Sequence, residues 1–145
     1  MMKKLYVILL LSIPLFSCSS DSDETTTQQA DYSGTWNLVQ MTGNVPNSET
    51  TGADMEWQER YTFKADGTFL KTREREEITT IASGTYEFKE SANQNMIELT
   101  YTEESTIIGS CYSDKKEELY THTNSILFST WEYCDGPGLK YMKVN

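Results

Sequence analysis

The chain has 145 residues and a formal net charge of -10. That length favours one domain with a small core, and the acidic balance sets nucleic acid aside, because affinity for phosphate backbones comes from Lys and Arg. The acidity reads first as a solvated surface. An acidic patch for a cationic partner is the alternative; no Asp-x-Asp-x-Asp-Gly loop points to calcium.

Met1 to Lys4 is a short basic start, and Leu5 to Leu11 is a continuous apolar run extended to Phe16. About a dozen apolar residues fall short of the ~20 that a spanning helix needs, so residues 1–17 read as a secretory signal. The end of that segment, Leu15-Phe16-Ser17-Cys18, resembles a bacterial lipobox, with Phe16 bulkier than usual at its position. The resemblance implies a multiply acylated Cys18, because stable anchoring takes two or more chains. Residues 18–30, from Cys18 through SSDSDETTTQQA, form a polar acidic tether that cannot offset its own ordering entropy. Its acidic cluster resembles surface-export signals of some Gram-negative lipoproteins, so the expected location is the outer membrane, on the cell surface or the periplasmic face. In that oxidising compartment, Cys111 and Cys134 are expected to form a disulfide, worth roughly 3 kcal/mol on the chain-entropy model.

Residues 31–145 read as short strands separated by turns. Gly34 to Met41 opens the series, with Trp36 and Leu38 on one face, and Thr42 to Met55 follows as a long loop. Trp57 to Lys64 alternates, with Trp57, Tyr61 and Phe63 in phase. Asp66-Gly67 is a hairpin signal, and Thr68 to Arg73 returns so that Phe63 and Phe69 lie close across the pair. The charged run Glu74 to Glu77 marks a turn or exposed edge. Ile78 to Lys89 is a strand in which Gly84 predicts a bulge or bend. Met96 to Thr102 alternates strictly. Glu104 to Tyr112 reads as apolar strand-like sequence with a second bend at Gly109. Glu117 to Thr121 and Ser125 to Tyr133 pair around His122-Thr123-Asn124, and Leu139 to Val144 closes the series. No stretch after the leader has a helical period. Eight or nine evenly spaced strands argue for an all-β barrel or sandwich.

Gly34-Thr35-Trp36 resembles the lipocalin Gly-x-Trp signature. The hairpin Tyr61 to Phe69 and the segment Gly84 to Phe88 are similar to the lipocalin-like domains of bacterial (Bacteroidetes-type) lipoproteins. The likeness covers about Asp31 to Asn145. It implies a small antiparallel up-and-down barrel with Gly34 and Trp36 as structural signature, Trp36 packing across the closed end. Larger lipocalins add a C-terminal helix that is not visible here.

Recognisable catalytic constellations are missing from the sequence. There is one His, His122, in an expected turn, which leaves no zinc-binding His pair; no nucleophile elbow is present. No enzyme activity, cofactor or metal is expected. The large aromatic side chains either fill the core or, in part, line a pocket at the barrel mouth. Tyr61, Phe63, Phe69, Tyr86, Phe88 and Tyr101 are the candidate ligand-binding residues on the second reading. The leading functional expectation is therefore an anchored barrel that binds a small hydrophobic or amphipathic ligand. The alternative is an interaction or structural lipoprotein with a filled barrel that acts through its loops. An apolar interior cavity favours the first, a solid core the second.

Overall fold

A computed structural model describes residues 31–90, 94–112 and 114–144. The expected leader, the lipidated Cys18 and the tether lie outside the described residues, as do 91–93 in the expected turn from Glu90 to Asn95, Ser113 and Asn145. The described chain forms nine strands: β1 (Gly34–Thr42), β2 (Thr50–Thr51), β3 (Gln58–Phe63), β4 (Thr68–Arg75), β5 (Ile78–Lys89), β6 (Met96–Tyr101), β7 (Lys116–Thr123), β8 (Ile126–Ser129) and β9 (Gly138–Lys143). Consecutive strands from β3 to β9 pair as neighbours, and β1 pairs with both β3 and β9. All these pairings are antiparallel, so eight strands close into an up-and-down barrel, with β2 an extra two-residue strand beside β1. This is the small lipocalin-like barrel architecture expected from the sequence.

Two-residue alternation drives the closure. Trp36 and Leu38 on β1, Tyr61 and Phe63 on β3, Ile97 and Leu99 on β6, and Leu139 and Tyr141 on β9 are all buried, while their strand neighbours face out. A register shift between Leu38 and Gln40 places Val39 in a bulge. The inward phase of β1 therefore jumps by one residue, and Met41 is buried next. The β3–β4 hairpin follows its turn chemistry. Gly67 has φ +80°, Lys64 N donates to Thr68 O at 2.9 Å, and Asp66 Oδ1 accepts from Thr68 N at 3.0 Å. Phe63 and Phe69 are direct partners across it.

Four readings need correction. Gly84 is not a bulge, because β5 pairs through it on both sides without a register shift. Its role is close approach: a Cβ there would lie 2.0 Å from Thr100 O, too close for any side chain. The segment Glu104 to Tyr112 is not a strand but part of the long β6–β7 connection, with Ile107 buried. The expected strand Ser125 to Tyr133 stops at Ser129 and turns into a short 3-10 segment, Trp131–Cys134. His122 belongs to β7 rather than to the turn, at a register irregularity between Thr121 and Thr123.

The two ends of the barrel differ. The chain enters at one, the entry end, where Tyr32 is buried and Trp36 Nε1 donates to Tyr32 O at 2.9 Å. Lys143 Nζ sits 5.8 Å over the Trp36 ring. The opposite, far end carries the β1–β3, β4–β5, β6–β7 and β8–β9 connections. The disulfide Cys111–Cys134, with Cα atoms 5.6 Å apart, ties the third of these to the fourth.

Candidate functional site

The barrel interior has an aromatic half and an ionic half. Towards the entry end, rings pack on rings. Tyr61 and Phe63 lie 5.6 Å apart between centroids, Phe63 and Tyr86 4.9 Å, and Phe69 and Tyr101 4.9 Å. Phe88 stacks on Tyr32 at 5.2 Å. Five of the six residues singled out from the sequence are thus brought together as mutually packed rings, while Phe88 packs on Tyr32 instead. None of the six lines the groove beside Asn37 and Gln58, the one beside Arg73 and Ile78, or the one beside Met41 and Pro137.

Towards the far end the same inward phase carries charge. Glu59 on β3, Lys71 and Arg73 on β4 and Glu117 on β7 are all buried. Lys71 Nζ lies 3.0 Å from both carboxylate oxygens of Glu117 and 3.2 Å from Glu59 Oε1. Arg73 Nε donates to Glu59 Oε2, and its guanidinium also reaches Ile107 O at 3.4 Å. Three tyrosines complete the network. Tyr61 donates to Glu117 Oε1 at 2.8 Å, Tyr141 to Glu59 Oε1 at 2.6 Å, and Tyr101 to Glu117 Oε2. Two carboxylates face two cations, so the cluster is neutral overall and its charged atoms are paired, as buried charge requires.

Burial, reinforced by the neighbouring carboxylates, raises the Tyr61, Tyr101 and Tyr141 hydroxyls well above the ordinary phenol value. For Arg73 burial works against the charge, but Glu59 outweighs it and the guanidinium is held above its usual value. The ring of Trp57 lies 4.3 Å below the Arg73 guanidinium. Trp57 Nε1 is the one buried side-chain polar atom without a hydrogen-bond partner among the described residues.

The β6–β7 connection covers this ionic half. Ile107 inserts at 2% exposure. Gly109 packs so closely that a Cβ would meet the Trp131 ring at 2.8 Å and Glu117 Oε1 at 3.1 Å. Only a glycine lets the backbone pass between the indole and the carboxylate. The Cys111–Cys134 bridge fastens the connection from outside.

The ionic residues were missed by the sequence reading, yet the alternation contains them. Glu59 is in phase with Trp57 and Tyr61, Lys71 and Arg73 with Phe69, and Glu117 with Leu119.

The outside of the far end is also distinctive. Its connections (residues 43–57, 76–77, 102–115 and 130–137) hold ten acidic residues and one lysine. Those at the entry end (31–33, 64–67, 90–95 and 124–125) hold three acidic residues and one lysine. Among the described residues, every non-glycine residue with positive φ lies at the far end: Asn47, Glu76, Glu77 and Asp135. Each far-end connection also presents a large apolar side chain beside or within it, at Val45, Ile78, Tyr112 and Tyr133, all more than half exposed.

Set against family models, curated proteins and solved structures, the chain matches none.

Proposed function

We propose that the protein is a lipid-anchored envelope lipoprotein that works as a non-enzymatic contact module through the loops of its far end. One observation carries this choice over a carrier of small hydrophobic molecules. The inward-facing positions are filled from one end to the other, first by stacked rings and then by the Glu59–Lys71–Arg73–Glu117 cluster with its three tyrosines. A carrier needs an apolar cavity with a few polar groups left over to orient the ligand. Here the polar groups are spent on one another.

The character of the far end supports the same reading. Residues held in left-handed backbone cluster where a fold positions loops for contact, and exposed apolar side chains on a rigid scaffold suit a partner surface. The chain enters the barrel at the opposite end, so a tether from Cys18 leaves the far end directed away from the membrane.

Native mass spectrometry of the full chain, gently extracted from membranes in a mild detergent, tests the proposal. The expected spectrum shows a mature chain carrying acyl groups at Cys18 and no further bound molecule. A stoichiometric co-purified lipid that survives gentle activation overturns the contact reading in favour of the carrier. An unacylated chain overturns the anchor.

A further inference from the structure

The far end holds a groove of about 440 Å³ between the β1–β2 connection and the β8–β9 connection. Buried Met41 and half-buried Pro137 supply its apolar lining, and Ser48 and Thr50 its hydroxyls. Asp54 and Glu56 supply two carboxylates, and no basic side chain among the described residues lines it. Hydrogen bonds hold the groove from both sides. Asn44 Nδ2 donates to Asp135 O at 3.3 Å and Thr42 Oγ1 to Gly138 O at 3.5 Å. Ser48 Oγ also accepts from Gly43 N at 2.9 Å, which fixes the turn that forms one wall. Such a preformed site loses little ordering entropy when it is occupied.

We propose that this groove receives a lysine or arginine side chain from an extended cationic segment of a partner protein. The inference rests on the contact reading above and names the chemistry of the partner. A long basic side chain has an aliphatic stem and a charged head. The apolar lining matches the stem and the two carboxylates match the head. Asp54 has no ion pair among the described residues, and Glu56 is engaged only by the exposed Arg75. The acidic excess of the surrounding connections favours approach of a positive segment and repels a negative one, a steering that salt weakens.

Fluorescence anisotropy with the detergent-solubilised full chain tests this with two labelled 12-residue probes, one alternating Lys and Ser, the other alternating Glu and Ser. The Lys-Ser probe should bind, with affinity falling at least about threefold between 0.05 and 0.3 M NaCl. The double variant Asp54→Asn, Glu56→Gln should weaken it about three- to fivefold, the scale of two exposed ion pairs. Both side chains are exposed, so the fold is not at stake. Asp66→Asn at the entry end should leave affinity unchanged. Equal binding of the Glu-Ser probe, no binding of the Lys-Ser probe, or binding insensitive to the double variant overturns the proposal. A barrel that emerges empty of lipid while the Lys-Ser probe fails to bind sinks the cationic partner alone. A barrel that carries a stoichiometric lipid sinks the contact reading beneath it.

Discussion

Lys71 has no exposure to solvent, yet it sits among three carboxylate oxygens. Its removal strands Glu59 and Glu117 in the interior with only Arg73 to balance them. An uncompensated buried charge costs about 3–5 kcal/mol, so Lys71→Met should destabilise the protein by that amount in urea unfolding. The double variant Lys71→Met, Glu117→Gln restores neutrality, because Glu59 keeps Arg73. A glutamine at 117 also still offers an acceptor to Tyr61 or Tyr101. The double variant should therefore recover at least about 1.5 kcal/mol of the single variant's loss, a coupling expected only between groups in one network. Additive losses would show that the cluster does not act as a unit. The sequence already puts these charges inside. On β4, Phe69, Lys71 and Arg73 alternate without a break, and a pleat cannot send the ring inward and the amines outward. What hides them is the habit of counting only apolar side chains as core. Their partners come from β3 and β7, far apart in sequence, and pairing across a barrel is not visible along a single strand.

Local turn chemistry made some elements legible and others not. Asp66-Gly67 gave the β3–β4 hairpin because glycine fits the left-handed position there. The β4–β5 hairpin has no such signal. Arg75 pairs with Ile78, so Glu76 and Glu77 alone make the turn, with φ of 52° and 64°. Two left-handed central residues are the pattern that favours Asn-Gly, and a side chain in that region costs roughly 1–2 kcal/mol. Replacing Glu76 by Asn and Glu77 by Gly should raise stability by about 1–2 kcal/mol, read as a shift of the denaturant midpoint at constant slope. An unchanged or lower midpoint would mean that the two glutamates carry no backbone strain. The β6–β7 connection misled the sequence reading for the opposite reason. Thr106, Ile107 and Ile108 look like strand because they are apolar and β-branched. Ile107 is apolar because it plugs the far end, and a single inserted side chain has the same local composition as a strand facing a core.

At the scale of the whole molecule, three of the nine tyrosines link strands β3, β6 and β9 to the ionic half of the barrel. Burial first, then the adjacent carboxylates, keep Tyr61, Tyr101 and Tyr141 protonated well past the ordinary phenol range. In the unfolded chain the same hydroxyls give up their protons near pH 10. Above that pH the folded state holds more protons than the unfolded state, so stability falls as pH rises. Below about pH 10 the contribution is intact in full. Each hydroxyl steepens the decline by about 1.4 kcal/mol per pH unit, and the three together by about 4 kcal/mol per unit. Unfolding should therefore be abrupt in alkali. Tyrosinate absorbance from these three groups should rise together with loss of the near-ultraviolet circular dichroism of the buried rings, not ahead of it. Tyr141→Phe removes one of the three protons and should flatten the slope of stability against pH by about 1.4 kcal/mol per unit. Tyrosinate signal from Tyr61, Tyr101 and Tyr141 while the aromatic dichroism stays intact would show that the hydroxyls are not locked to Glu59 and Glu117. The ionic half of the barrel would then be open to water rather than sealed beneath Ile107 and the Cys111–Cys134 bridge.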